Sequence, residues 1–254
     1  HAKQCLNKPN GRVVIEEFLT GEEVSVLALS DGEHLVYMAP AQDHKRILDG
    51  DQGGNTGGMG AYAPAPFLDA VLTEKVRTEI MEPTIRAMAR EDRPYRGVLY
   101  AGLILTAEGP KVLEFNCRFG DPETQVILPL AASDLVEAIM ASRDGGLGSF
   151  QWRNHAGAAV GVVIASGGYP ERYTTGHRIY GLDASPDKDV VIFHSGTKQT
   201  DGYPVTAGGR VLTVTAWAPD LESAIARAYR AVGKVAFDGA YYRKDIGAKG
   251  LRRK

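Results

Sequence analysis

The side chains best suited to chemistry lie close together in the run LEFNCRFGDPE at residues 113–123. If this run begins as a strand, alternate residues share a face, so Glu114, Asn116 and Arg118 point the same way. Glu114 and Asn116 suit Mg²⁺, which takes a few protein oxygens and completes its octahedron with nucleotide phosphate and water. An arginine on the same face can hold a planar anion through two parallel hydrogen bonds.

A solvated edge strand is the simpler interpretation of the same polar run. The apolar residues Val112, Leu113 and Val126–Leu128 flank it, however, and they favour a segment that lines the core. We therefore expect the polar face to bind ligands rather than to meet bulk water.

The composition is that of a globular protein. The 254 residues are 44% hydrophobic and 24% charged, enough for one large domain or two smaller ones. The formal charge of -2 gives no reason to expect nucleic acid or an anionic membrane as a partner. No apolar run reaches the roughly 20 residues of a membrane span, and only two cysteines, Cys5 and Cys117, are present. A reducing, cytoplasmic compartment is the resulting expectation.

The start of the chain is unusual, because it begins His1-Ala2-Lys3 without an initiator methionine. An apolar strand is predicted almost at once, over residues 13–19. We therefore expect the chain to be a piece of a longer protein. A monomer is the expected state of that protein.

The pattern of apolar residues predicts a mixed helix and strand fold. A helix is predicted over residues 68–90, kinked or divided at Pro83. A hairpin is predicted from residues 98–106 and 111–116. The glycine-rich stretch 144–148 is the best internal boundary, so the domains are placed at 1–148 and 149–254.

Two further segments could bind ligands. Residues 16–23 (EEFLTGEE) combine a strand that leaves its sheet, which frees backbone groups for a purine edge, with a later carboxylate that could accept ribose hydroxyls. Taken alone, a surface linker explains this segment better. No histidine spacing suits zinc, and no serine nucleophile pattern is present.

The second segment is a glycine-rich run at residues 53–60 (GGNTGGMG), which follows the polar residues 42–46 (QDHKR). Residues 43–60 as a whole are predicted to be a long loop. The five glycines of the run 53–60 allow close approach to a ligand and could align N–H groups for an anion. A flexible linker is the alternative, but the methionine, tyrosine and prolines that follow are poor linker composition. No Gly-Lys-Ser/Thr ends the run, so it is not a Walker loop.

Taken in order, these segments resemble the glycinamide ribonucleotide synthetase (phosphoribosylamine–glycine ligase) family of the ATP-grasp superfamily. The resemblance covers nearly the whole chain from Val13 to Gly247. It rests on eight runs: VVIEEFLTGEEVS (13–25), QDHKRILDGDQGGNTGGMGAYAPAP (42–66), YAGLIL (100–105), VLEFNCRFGDPETQ (112–125), VVIASGGYP (162–170), VIFHSGT (191–197), GGRVLTVTA (208–216) and YRKDIG (242–247).

The resemblance implies an α/β (α+β) fold: an ATP-grasp subdomain with a mostly antiparallel sheet, followed by a smaller C-terminal α+β domain. It implies a ligase of purine biosynthesis that couples ATP to the joining of glycine and 5-phosphoribosylamine through glycyl phosphate. ATP and Mg²⁺ (or Mn²⁺) are the implied cofactors, and no nucleic acid or membrane partner is implied.

The resemblance also implies roles for individual positions. Metal binding falls to Glu114 and Asn116, and nucleotide binding to Glu16, the backbone of Glu17, Phe18 and Leu19, and the ribose carboxylate Glu23. Arg118, Asp43 and Lys45 are the implied catalytic residues, and Gly57, Gly58, Met59, Gly60, Asp121 and Glu123 the implied substrate contacts.

In this family an N-terminal domain and a phosphate-clamping lid precede the segment that matches Val13. Residues 1–12 offer no equivalent, so we expect the chain alone to be inactive. Two alternatives stay open: another ATP-grasp carboxylate–amine ligase of purine metabolism, and a non-catalytic nucleotide-binding fragment.

Overall fold

The computed structural model describes residues 11–183 and 187–252. Expectations about residues 1–10, including Cys5, lie outside the described residues. Among the helices that are described, none is both long and apolar enough to cross a membrane.

The chain forms fourteen described strands, most of them short. They are β1 Glu22–Asp31, β2 Leu35–Tyr37, β3 Gln42–Asp43, β4 Arg46–Leu48, β5 Gln52–Asn55, β6 Gly60–Ala63, β7 Arg96–Thr106, β8 Gly109–Asn116, β9 Ala158–Ser166, β10 Val190–His194, β11 Thr197–Thr200, β12 Tyr203–Thr206, β13 Arg210–Ala218 and β14 Ala240–Tyr241.

Six α-helices accompany the strands in the described residues. They are α1 Ala70–Lys75, α2 Glu82–Arg90, α3 Thr124–Ile127, α4 Leu135–Asp144, α5 Leu221–Val232 and α6 Ala248–Leu251, with short 3₁₀ turns at Asp49–Asp51, Leu128–Leu130 and Leu147–Ser149.

Four strands make the first sheet, in the order β2-β1-β7-β8, and every pairing in it is antiparallel. The central strand β1 is apolar along most of its length and is almost continuously buried. β8 is the edge strand. Consequently the expectation that the flanking apolar residues line the core is wrong for Val112 and Leu113, which are 38% and 37% exposed, whereas Val126 and Ile127 are buried.

The predicted hairpin of residues 98–106 and 111–116 is confirmed as β7 and β8, with register shifting between Gly102 and Leu103. The predicted helix of residues 68–90 runs without a break from Ala70 to Arg90, because the backbone stays helical at both ends of a π-helical segment, Val76–Met81, that lies between α1 and α2. The Glu82 N–H donates to the Arg77 carbonyl across this segment, and Pro83 follows directly after it. The wider π-helical turn accommodates a proline, which has no N–H to donate inside a helix.

The second sheet has the order β10-β13-β9-β6-β3, with β14 also pairing to β9, and its pairings are antiparallel. The mostly antiparallel mixed fold is thus confirmed. β9 is buried at every position, as expected for a central strand covered on both faces. This sheet takes strands from both sides of residue 148, and the division into domains 1–148 and 149–254 stays a prediction.

Two local predictions are wrong. Residues 13–19 form no strand, and Ile15 and Phe18 are 92% and 90% exposed. Residues 43–60 are not one loop, because β4 and β5 pair as a small ribbon within them. The polar, glycine-rich composition concealed this ribbon, whose strands are mostly exposed and carry no alternating apolar pattern.

Candidate functional site

Half of the residues singled out from the sequence surround one polar cavity of about 150 Å³. The cavity lies where the end of β8 faces β3 and the glycine-rich segment. It is lined by Asp43, Lys45, Thr56, Gly57, Tyr100, Glu114, Asn116, Arg118, Asp121 and Glu123. Segments that are up to 80 residues apart in sequence therefore meet at one place, as the candidate-site prediction requires.

The end of β8 supplies one wall. The Asn116 amide donates a hydrogen bond of 3.1 Å from Nδ2 to Glu114 Oε1. Arg118 Nη1 donates to the Phe119 carbonyl at 2.9 Å. The predicted common strand face is present for Glu114 and Asn116, whereas Arg118 lies beyond the end of β8; all three line the cavity.

β3 and the residues after it supply the opposite wall, which holds a cation. Lys45 Nζ lies 2.6 Å from Glu23 Oε2. Burial lowers the pKa of Lys45, but the carboxylates of Asp43 and Glu23 outweigh burial and raise it above the usual value. Lys45 therefore stays protonated beside the cavity at neutral pH.

Two carboxyl groups, those of Glu123 and Asp43, border the same cavity as Lys45. Glu123 is 2% exposed, and its Oε1 accepts hydrogen bonds of 2.8 Å from both Ser25 Oγ and Tyr100 OH. Asp43 Oδ1 is buried and has no hydrogen-bond partner among the described residues. Burial, reinforced by the nearby Glu123 carboxylate, raises the pKa of Asp43 well above its ordinary value.

An unpartnered buried oxygen in such a place is costly, and in a native protein it commonly marks a ligand or catalytic role. Because the carboxyl groups of Asp43 and Glu123 also line the cavity, they are suited to holding an ammonium group or accepting a proton. On the opposite wall Arg118 can bind an anion, which makes the cavity suited to a ligand with charge of both signs.

The glycine-rich segment is organised by protein contacts. Gly57 N donates to Tyr169 OH at 3.0 Å, and Gly58 N donates to Thr56 Oγ1 at 3.0 Å. Met59 N donates to the His44 carbonyl at 2.9 Å. The expected row of N–H groups free for an anion is thus not what this segment presents.

Glycine is required here for close packing instead. Gly58 has φ +110°, and a Cβ on it would lie 2.7 Å from Asp43 Oδ1. Gly60 has φ +150°, and its Cβ would lie 2.5 Å from the Gly161 carbonyl oxygen. Close packing against Asp43 and Gly161 therefore accounts for these two glycines, while a substrate role for residues 57–60 stays a prediction.

The segment predicted to bind the nucleotide base lies apart from this cavity. Glu17, Phe18 and Leu19 border a separate surface cavity of about 160 Å³, where Glu17 pairs with Lys111 at 3.2 Å. Glu23 borders a third cavity of about 320 Å³, which shares Asp43 and Lys45 with the first. The nucleotide role of residues 16–19 and of Glu23 stays a prediction.

A divalent ion would fit at Glu114 and Asn116. Both side chains line the cavity and carry hard oxygen donors of the type that Mg²⁺ and Mn²⁺ prefer. In this structure the Asn116 group next to Glu114 Oε1 is the amide nitrogen Nδ2, so the amide would turn to present its oxygen to an ion. Within residues 11–183 and 187–252, no group of three or more histidine, cysteine or acidic side chains could hold a metal alone. The two residues would thus suit an ion that is completed by phosphate and water.

Sequence reasoning missed four residues of the site. Thr56 and Tyr100 line the cavity, and Tyr169 and Arg210 hold its glycine-rich segment from the far end of the chain. Tyr100 carried a signal, since a tyrosine in an otherwise aliphatic strand needs a partner for its hydroxyl. Tyr169 and Arg210 gave no local signal, because only the tertiary fold brings them near residue 57.

Comparison with known families gives two matches that together span most of the chain. Residues 2–124 match the model for the phosphoribosylglycinamide synthetase, ATP-grasp (A) domain, and residues 159–249 match that for the phosphoribosylglycinamide synthetase, C domain.

Individual proteins agree with these matches. The chain is 54% identical over 244 residues to phosphoribosylamine–glycine ligase of Synechocystis sp., covering 94% of this chain and 58% of that protein. It is 50% identical over 242 residues to the human trifunctional purine biosynthetic protein adenosine-3, covering 94% of this chain and 24% of that protein.

A solved structure shows the same fold. Phosphoribosylamine–glycine ligase of Thermotoga maritima superposes with a TM-score of 0.81 at 38% identity, covering 91% of this chain and 56% of that one. The chain therefore spans little more than half the length of the stand-alone ligases that it matches.

Proposed function

Because the chain belongs to the phosphoribosylglycinamide synthetase family, we propose that the whole protein joins glycine to 5-phosphoribosylamine at the expense of ATP. The products are glycinamide ribonucleotide, ADP and phosphate, and the pathway is purine biosynthesis. The observation that carries the proposal is the cavity in which Glu114, Asn116 and Arg118 face Asp43, Lys45 and Glu123.

The reaction has two steps. A carboxylate oxygen of glycine attacks the γ-phosphorus of ATP, ADP leaves, and glycyl phosphate forms. The amine nitrogen of phosphoribosylamine then attacks the acyl carbon, phosphate leaves with that oxygen, and the nitrogen loses a proton. Neither step needs a protein nucleophile, so the protein's task is to position the reactants and to stabilise negative charge.

Arg118 and Lys45 are suited to that second task. Both border the cavity, and Lys45 keeps its charge because neighbouring carboxylates raise its pKa despite burial. Fixed cations in a cavity stabilise developing negative charge without reorganising during the reaction. We propose that they contact the transferred phosphoryl group and the acyl phosphate.

Asp43 and Glu123 are suited to the amine chemistry. Asp43 has an unpartnered buried oxygen, and Glu123 is held in one orientation by Ser25 and Tyr100. A carboxylate with a raised pKa is a better proton acceptor near neutral pH than an ordinary aspartate. We propose that this pair binds the ammonium of glycine or accepts the proton released by the attacking amine.

Glu114 and Asn116 would hold Mg²⁺ or Mn²⁺, which when bound supplies neutralisation of phosphate charge. ATP would lie with its base toward residues 16–19 and its ribose toward Glu23. We propose that the protein is a monomer. We also propose that it works in the cytoplasm, since only two cysteines among 254 residues suit a reducing compartment.

The proposal is tested by phosphate release in the full-length protein. Release from ATP should require glycine and phosphoribosylamine together, and omission of either should reduce it to background. Release that is unaffected by omitting glycine would contradict the assignment. Release that needs a different amine or carboxylate would instead favour another ATP-grasp carboxylate–amine ligase.

A further inference from the structure

Arg210, at the first position of β13, reaches from the C-terminal half of the chain into the wall of the cavity. Its Nη1 donates to the Gly57 carbonyl at 2.8 Å and to the Asp121 carbonyl at 3.0 Å. Its guanidinium also pairs with both carboxylate oxygens of Asp121, each at 3.1 Å. The side chain is only 21% exposed.

These contacts join two segments that are distant in sequence. Gly57 belongs to the glycine-rich segment and Asp121 follows β8, and both border the cavity. A guanidinium is suited to bridging them, because its planar fork binds a carboxylate in two places and still donates to carbonyl oxygens. A lysine carries the same charge but cannot make the paired contact.

The space around Gly57 is fitted to the arginine. A Cβ on Gly57 would lie 3.1 Å from Arg210 Cζ, tighter than most side-chain contacts. On the other side, Gly57 N donates to Tyr169 OH. Thus both backbone groups of Gly57 are held by side chains from the segment of residues 159–249.

We propose that Arg210 is a positioning residue, which holds the glycine-rich segment and Asp121 in the arrangement that forms the cavity. It acts through Gly57 and Asp121 rather than by touching the reacting atoms. The C-terminal segment would then contribute to the active site by setting the shape of the pocket for the two substrates other than ATP. This kinetic consequence depends on the proposed ligase function, whereas the positioning itself does not.

Hydrogen exchange tests the positioning without any assay of activity. In the Arg210→Gln variant of the full-length protein, amides of residues 56–59 should exchange about tenfold faster or more, since charge-assisted hydrogen bonds that hold the segment are lost. The matched control is Arg227→Gln. Arg227 is similarly buried (26% exposed), and it pairs with Asp189 at 2.8 Å and donates to a β13 carbonyl.

The control should leave exchange in residues 56–59 unchanged. Equal acceleration in both variants, or none in Arg210→Gln, would overturn the proposal. If Arg210→Gln fails to fold, Arg210→Lys should still give acceleration confined to residues 56–59 and the peptide containing Asp121.

Steady-state kinetics then test the proposed effect of Arg210 on the substrate pocket. For Arg210→Lys, the KM values for glycine and phosphoribosylamine should rise about tenfold, while the KM for ATP stays within twofold of wild type. A fall in kcat alone, with every KM unchanged, would contradict a role in shaping the substrate pocket. A protein without ligase activity would refute the proposed function and leave the exchange result to decide the positioning.

Discussion

Lys45 Nζ lies 2.6 Å from Glu23 Oε2, so two residues that sequence resemblance assigns to different ligands form one ion pair. Lys45 borders both the 150 Å³ cavity and its 320 Å³ neighbour, and Glu23 borders the larger one. A ribose bound at Glu23 would compete for the carboxylate that now holds Lys45. Nucleotide binding is therefore expected to release this lysine toward the cavity where Arg118 lies.

Replacing Lys45 should lower kcat strongly and change the free energy of unfolding only slightly. Removing one fixed charge that stabilises a transition state typically costs about 10²- to 10³-fold in kcat, so Lys45→Met should lower turnover on that scale. The ion pair is about one-third exposed on the lysine side, and exposed pairs contribute less than about 1 kcal/mol. Urea unfolding and steady-state kinetics measure the two effects, with Arg86→Met, which breaks the exposed pair to Glu82, as the control.

Replacing Glu114 should raise the requirement for magnesium. Glu114→Gln removes one of two candidate metal ligands while keeping the size of the side chain, so the Mg²⁺ concentration for half-maximal rate should rise about tenfold or more. Circular dichroism should be unchanged, because the side chain lies at the exposed end of an edge strand. Glu108→Gln, in the adjoining turn, is the control. An unaltered magnesium requirement would remove Glu114 from the metal site.

Replacing Asp43 should stabilise the protein at neutral pH. Burial and Glu123 raise the pKa of Asp43, so the folded state binds this proton more tightly than the unfolded state. Its stabilising contribution is therefore complete below the unfolded pKa, near about 4, and is lost as pH rises through the folded pKa. Asp43→Asn, which mimics the protonated carboxyl group, should accordingly raise the free energy of unfolding at pH 7.

That advantage should disappear at about pH 3, below the unfolded pKa, where the wild-type carboxyl group is protonated in both states. Urea unfolding at the two pH values gives the comparison. A loss of stability in Asp43→Asn at pH 7 would mean that the carboxylate is stabilised by its surroundings, contrary to the raised pKa.

His44 should make the protein sensitive to mild acid. Burial, with Arg243 next in importance, lowers the pKa of His44 to about 4. Nδ1 lies 3.3 Å from the Gly60 carbonyl, and Nε2 has no hydrogen-bond partner among the described residues. A histidine with a depressed pKa contributes stability above its unfolded pKa of about 6.5, and this is lost as pH falls toward 4.

The free energy of unfolding of the wild-type protein should fall by about 3 kcal/mol between pH 6.5 and pH 4 through this histidine. His44→Gln should flatten the decline in unfolding free energy between pH 6.5 and 4, whatever its effect at pH 7. His155→Gln, at an exposed position, should leave the decline as it is in the wild type. A decline of equal depth in both variants would assign the acid sensitivity to other groups.

The sequence predicted those parts of the site that depend on local spacing. Glu114 and Asn116 share a face because the strand β8 alternates, whereas Asp43 and Lys45 were expected at the site from the family resemblance. The contacts of Arg210 and Tyr169 to Gly57 could not be predicted in this way, since they join residues more than 100 positions apart. The orphaned oxygen of Asp43 likewise depends on tertiary packing against Gly58.

The errors in the fold have physical causes as well. Val13 to Leu19 is apolar enough for a strand, but in the described structure it is exposed and makes no ladder, which shows that β propensity follows packing. Leu113 and Phe115 are apolar and yet exposed, because β8 ends its sheet. The ribbon of β4 and β5 was missed because polar strands lack the periodicity that predicts them.

The central claim is that a glycine carboxylate oxygen becomes bonded to phosphorus in this cavity. Full-length protein would be incubated with ATP, phosphoribosylamine and glycine carrying ¹⁸O in its carboxylate, and the released phosphate analysed by mass spectrometry. The acyl phosphate route predicts one ¹⁸O atom in each phosphate formed, and only when both substrates are present. Phosphate free of ¹⁸O during formation of glycinamide ribonucleotide would contradict the account.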